Sequence, residues 1–156
     1  MIEIDIPGFG MVRLEHLVSD FTGTLSVDGS LLPDIGKRLN TLAERVQIHV
    51  LTADTFGKAR AELQGVNCTV HILGGEGLDA QKEDFISKLG ADRVVAFGNG
   101  NNDRRMLKAA KIGIAVLEGE GCAVDALTAA NVLVRSAKEG LDLLLHPKRL
   151  IATLRF

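Results

Sequence analysis

The chain has 156 residues, enough for one domain with a single substantial core. Its 46% hydrophobic and 24% charged residues make an ordinary soluble composition, and a formal net charge of -2 leaves no basic footprint for nucleic acid. Trp and Tyr are absent, which removes the usual base-stacking surface, and no apolar run approaches the ~20 residues of a membrane helix.

The opening residues Ile2, Ile4 and Ile6 alternate with acidic ones, which predicts a strand. Pro7-Gly8-Phe9-Gly10 is a turn, and Met11 to Ser19 reads as a second strand that pairs with the first as a hairpin-like entry to a sheet. The segment lacks the basic start and apolar centre of a signal peptide, so the expected location is the cytoplasm. Ser26 to Ser30 holds an Asp-Gly turn and predicts a small flap. Pro33-Asp34 opens a helix to about Arg45, with Ile35, Leu39, Leu42 and Val46 on one face.

From there strand and helix alternate. Gln47 to Leu51 is a strand ending at Thr52, and Thr55 to about Leu63 a helix. Cys68 to Leu73 is a strand, Ala80 to Leu89 a helix stopped by Gly90, and Val94 to Phe97 a strand. A loop at 98–103 leads into a helix reaching Ala110. Ile112 to Val116 is a strand, a short helix lies near Ala123, Val132 to Val134 is a strand, and a helical segment closes the chain. This order predicts an α/β, Rossmann-like three-layer fold: a mainly parallel sheet, helices on both faces, an N-terminal hairpin and no large cap. In such sheets ligands bind beyond the carboxyl ends of the strands, where Asp20, Thr52 and the 98–103 loop fall.

Cys68 and Cys122 are distant in sequence and lie among small or apolar residues, which reads as a pair of reduced, inert thiols. His16, His49, His71 and His146 lack ligand spacing. His49 and His71 fall in predicted strands, favouring core or sheet-end roles over zinc.

The stretch Asp20-Phe21-Thr22-Gly23-Thr24 follows a strand, so its carboxylate is rigidly held. Read alone, it is either an ordinary turn or a nucleophile beside an anion site. Aspartyl-phosphate chemistry reconciles a carboxylate with an anion, because a divalent cation screens the repulsion. Thr52 alone reads equally well as a helix-cap neighbour, Lys82 as a solvated helix lysine, and 98–103 as an Asn-rich turn. Glycines 74, 75 and 77 lack the Lys-Ser/Thr of a phosphate-binding loop.

Taken in order, Asp20-x-Thr22-Gly23-Thr24, Leu51-Thr52-Ala53-Asp54, Lys82 and Gly98-Asn99-Gly100-Asn101-Asn102-Asp103 resemble the four motifs of the haloacid dehalogenase superfamily. More narrowly, they resemble the phosphorylation domain of P-type ATPases. The resemblance implies Asp20 as nucleophile, Thr52 as a phosphoryl ligand and Lys82 as the charge-neutralising cation. It implies a Mg²⁺ held by Asp20, the Thr22 carbonyl, Asn99 and Asp103, and a phosphorylated substrate. Asp54 matches the acid of the second motif and is expected to fix its loop or the incoming helix.

There are two departures. Asn99 stands where the pattern often has Asp, which removes a charge beside the cation. Thr22 stands where phosphatases of the superfamily usually have an acid–base Asp, and Thr cannot ionise near neutral pH. The expected enzyme is therefore a slow Mg²⁺-dependent phosphatase, with a phosphate-responsive regulatory module or a phosphotransferase as the alternatives. With only about thirty residues between Asp20 and Thr52, neither a nucleotide-binding domain nor a large cap fits there. The leucine-rich stretch 141–154 either forms a homo-oligomer surface or packs on the chain's own sheet.

Overall fold

The structure, a computed structural model, describes residues 1–156. The chain opens with β1 (Ile2–Ile6) and β2 (Gly10–Leu14), which pair antiparallel with Ile2 opposite Leu14. Ile2, Ile4, Ile6, Val12 and Leu14 turn inward while the acidic residues between the isoleucines face out, as the period of two requires. This hairpin is a sheet of its own.

The predicted strand from Met11 to Ser19 breaks at Glu15. The Glu15 N–H donates to the Arg93 carbonyl, and its carboxylate meets the Arg93 guanidinium at 3.1 Å. The chain then enters the main sheet as β3 (His16–Ser19). A β-hairpin flap follows, β4 (Ser26–Val27) and β5 (Ser30–Leu31), turning at Asp28 and Gly29, both at positive φ. That is the geometry a two-residue Asp-Gly hairpin turn demands.

The main sheet continues with β6 (Gln47–Thr52), β7 (Thr69–Ile72), β8 (Val94–Gly98), β9 (Ile112–Val116) and β10 (Val132–Val134). All six strands are parallel, in the order β10-β9-β8-β3-β6-β7. The chain runs outward from β3 to β7, then returns to β8 and runs outward the other way. The switch in direction lies between β3 and β8, and an open parallel sheet binds ligands beyond the carboxyl ends at that point. Every residue of β8 and β9 is buried, as expected for strands covered on both faces.

Helices cover both faces. On one, α1 (Ile35–Leu42), α6 (Ala137–Leu145) and α7 (Pro147–Leu154) join the N-terminal hairpin over Leu17, Val95 and Phe97. On the other, α3 (Leu78–Leu89), α4 (Arg104–Ala109) and α5 (Val124–Ala129) cover Val18, Leu51, Val94 and Ala96. Leu141, Leu144 and Leu150 are fully buried in the first core, so the C-terminal stripe packs on the chain's own sheet and hairpin. That removes the reason for expecting a homo-oligomer from it. No helix is long and apolar enough to cross a membrane.

The helix predicted from Thr55 shortens to α2 (Ala59–Glu62). Asp54 is left-handed (φ 54°) and Gly57 also has positive φ, so helical backbone starts only after them. The Asp54 carboxylate accepts from the N–H groups of Lys58 and Ala59, fixing the incoming helix.

His16, His49 and His71 form a row across β3, β6 and β7. Nε2 of His49 lies 3.3 Å from Nδ1 of His16, and Phe85 of α3 packs on His49 and His71 with ring centroids 5.3 and 4.8 Å away. Burial lowers the pKa of all three, that of His49 to about 4 with its two imidazole neighbours adding to the effect. Above about pH 6.5 the row is neutral whether the chain is folded or not, and its packing is fully retained. As pH falls, unfolded His49 protonates first and the folded one resists until about 4, so stability declines across that window. Urea unfolding at about pH 7.5 and pH 5 should show a loss in the wild type that is smaller in His49→Gln; equal losses would place the acid sensitivity elsewhere.

Candidate active site

Asp20 is the first residue beyond β3, and its N–H donates to the Phe97 carbonyl at 3.0 Å, extending the β3–β8 ladder. The loop after it winds around a single acceptor. The Phe21 carbonyl takes the N–H groups of Thr24, Leu25 and Ser26 and the Ser26 hydroxyl, all within 3.2 Å. The Phe21 ring points into the core, 1% exposed. Gly23 has φ 78°, and a Cβ there would lie 2.5 Å from Nδ2 of Asn99, so both backbone and space require glycine.

Lys82 lies in the second turn of α3, is 1% exposed, and reaches the sheet end. Its Nζ donates to Asp20 Oδ1 at 2.9 Å, Asp103 Oδ1 at 2.6 Å and Asn102 Oδ1 at 3.3 Å. The second Asp103 oxygen accepts the N–H groups of Asn99 and Gly100. A Cβ at Gly98 would lie 2.5 Å from that of Asp103, so the strand must end in glycine for this carboxylate to fold back. The cluster is two carboxylates and one ammonium. Burial, then the Asp103 charge, pushes the Asp20 carboxyl up to about 7 against the pull of Lys82. Burial works against the Lys82 ammonium too, but the Asp20 and Asp103 charges outweigh it and hold its pKa above the usual lysine range.

Thr52 ends β6, next to β3, and is 1% exposed. Its Oγ1 accepts the Asp54 N–H at 2.9 Å, which leaves the hydroxyl proton free to donate elsewhere. The Thr24 hydroxyl, which sequence reasoning left without a specific partner, bridges Asn99 Oδ1 at 3.0 Å and Asp20 Oδ2 at 3.4 Å. Asn99 Nδ2 donates to the Gly121 carbonyl. Thr22 is half-buried and bridges to Ser26 through the backbone, with its side chain outside the hydrogen-bond network. The structure thus brings Asp20, Lys82, Asn99 and Asp103 into one bonded cluster, with Thr22 on the same loop and Thr52 on the neighbouring strand end. Sequence reasoning missed Asn102 as a partner of Lys82 and the 117–123 loop as a wall. Only Asn102 carried a signal, as part of the Asn-rich turn.

These residues fit a divalent cation. Two carboxylates against one ammonium leave a net negative charge, and Asp20 Oδ2 has only the long Thr24 contact. No three His, Cys, Asp or Glu side chains converge as a metal cage. An ion here would take hard oxygens from Asp20, the Thr22 carbonyl, Asn99 and Asp103 together with water, the ligand set that Mg²⁺ accepts.

Residues 85–140 match the family model of haloacid dehalogenase-like hydrolases. An uncharacterised Methanocaldococcus jannaschii protein, MJ0073, is 41% identical over 63 residues, 40% of this chain and 68% of that one. The copper-transporting ATPase ccc2 of Schizosaccharomyces pombe is 30% identical over 131 residues, covering 82% of this chain but only 14% of the transporter. Among solved structures, the 3-deoxy-D-manno-octulosonate 8-phosphate phosphatase of Moraxella catarrhalis, in complex with magnesium ion, phosphate ion and KDO, superposes with a TM-score of 0.65. It shares 19% identity over 91% of this chain and 94% of that one, a likeness of fold. The chain carries a haloacid dehalogenase-like hydrolase domain. It has the fold of the octulosonate phosphatases and resembles the phosphorylation domain of P-type ATPases.

Replacing Lys82 by Met should leave two buried carboxylates facing each other and cost about 3–5 kcal/mol in urea unfolding near neutral pH, with Asp103→Asn in the same chain recovering part of the loss. With Asp20 as a cation ligand, its proton would compete with the ion. Mg²⁺ affinity measured by calorimetry should therefore rise with pH below about 7, by up to about tenfold per unit, and level off above it. A flat profile would remove Asp20 from the ligand set.

Proposed function

We propose that this chain is a Mg²⁺-dependent phosphomonoesterase that works slowly through an aspartyl-phosphate on Asp20, as a single domain without a large cap. The observation that carries the reading is the Lys82 ammonium held between Asp20 and Asp103 at the switch point of the sheet. A buried lysine there favours an ionised Asp20 and offsets the charge of an arriving phosphate.

In this reading Oδ2 of Asp20 attacks phosphorus, an O–P bond forms, and the ester oxygen leaves and takes a proton from water. Water then attacks the same phosphorus, the Asp20 O–P bond breaks, and inorganic phosphate departs with Asp20 again a carboxylate. Thr52 donates its hydroxyl proton to a phosphoryl oxygen, and the Asn99–Asp103 turn holds the far side of the cluster. A Mg²⁺ bound by Asp20, the Thr22 carbonyl, Asn99 and Asp103 would supply positive charge and lower the pKa of the nucleophile. The substrate is a phosphate monoester whose phosphoryl group these residues recognise.

Thr22 favours a second reading. With no acid two residues after the nucleophile, neither the leaving oxygen nor the attacking water has a proton partner in the loop. The phosphorylated state would then persist, either as a signal to a partner or for transfer to another acceptor.

An aryl phosphate assay with and without Mg²⁺ tests both readings. The wild type should show slow, Mg²⁺-dependent release with an initial burst of the aryl alcohol, and Asp20→Asn none. Thr22→Asp should raise turnover by about a hundredfold, the scale of general acid–base help. A correctly folded, metal-binding Thr22→Asp enzyme that is no faster would count against the assigned limit.

A further inference from the structure

The Asn99 side chain does more than stand beside the nucleophile. The Gly121 carbonyl can only accept, so the atom facing it at 3.1 Å must be the Asn99 amide nitrogen, and the amide oxygen must then face the Thr24 hydroxyl. The backbone is tied as well: the Asn99 carbonyl accepts the Ala123 N–H at 2.7 Å. Asn99 therefore joins three segments, the nucleophile loop, the 98–103 turn and the 117–123 loop.

The third segment reaches the flap. Glu120 Oε2 accepts the Asp28 N–H at 3.2 Å, and Gly119 packs so close to Val27 that a Cβ there would lie 3.2 Å from the Val27 methyl. The other side of the flap is held separately, by Glu62 Oε2 on the Leu31 N–H and by Phe56 against Gly29. A side chain at 99 must donate to one loop and accept from another at once. An amide does both, whereas a carboxylate there would face the Gly121 carbonyl with like partial charge.

We infer that Asn99 is a positioning residue that holds the 117–123 loop, and through it the Val27–Asp28 side of the flap, against the nucleophile loop. An aspartate at 99 would strengthen the cation site and loosen this wall of the cleft. The role of the flap as a cleft wall rests on the reading of Asp20 as the reacting group, but the tie itself does not.

Hydrogen exchange by mass spectrometry, without substrate, tests the tie directly. In Asn99→Asp the amides of 26–29 and 117–123 should exchange about two- to tenfold faster than in the wild type, the range one net hydrogen bond is worth, with Leu31 unchanged. Glu120→Ala, outside the bonded cluster, should speed 26–29 alone. Asn99→Asp should also bind Mg²⁺ more tightly and raise KM for an aryl phosphate more than it lowers kcat, while Asn99→Gln, which keeps donor and acceptor, should partly restore exchange. Unchanged flap exchange in both Asn99→Asp and Glu120→Ala overturns the inference. Faster exchange with no phosphatase activity in any variant, wild type included, keeps the tie and sinks the functional reading instead.

Discussion

A buried ammonium between two buried carboxylates is the constraint on which the rest of this molecule depends. Lys82 comes from a helix on one face of the sheet, Asp20 from the end of the central strand, and Asp103 from the turn after its neighbour. Removing charges from water costs several kcal/mol each, so the arrangement holds only if every partner is placed at hydrogen-bond distance. That demand explains otherwise unconnected details. Gly98 makes room for Asp103 to fold back, two backbone amides satisfy its second oxygen, and α3 begins on a left-handed Gly77 that aims the helix at the strand ends.

The cluster is also unbalanced. Two acids share one base, and burial together with the Asp103 charge makes Asp20 hold a proton well above the ordinary aspartate range. A cation bound at this carboxylate, as proposed, would have to displace that proton, which would couple metal uptake to acidity.

Much of this was legible in the chain. The strand at 47–52, the helix ending at Leu89 and the strands at 112–116 and 132–134 follow from short apolar runs bounded by turns, and the site from motifs at strand ends. The sequence misled where one residue's tertiary partner broke a local pattern. Glu15 ends a strand because Arg93 is there to receive it, and Asp54 delays a helix because its own carboxylate caps the later start. The C-terminal leucines admitted either an interface or an interior, and Leu141, Leu144 and Leu150 are interior because α6 packs on α1 and the sheet and α7 on the hairpin. Three of the four histidines, scattered in sequence, become a diagonal row because His16, His49 and His71 each sit two residues from the register partner of the next, on one face of the sheet. The linkage of Asn99 to the flap was illegible for a different reason: it runs through the backbone carbonyl of Gly121, and a carbonyl leaves no mark in a sequence.

Phe21 ties the chemistry to the interior. Its carbonyl is the hub around which the nucleophile loop turns, and its ring is part of the larger core beside Leu25. One peptide unit therefore belongs to both. Close-packed interiors transmit small changes of volume, so a methylene added or lost around the Phe21 ring would be felt in the loop that carries Asp20.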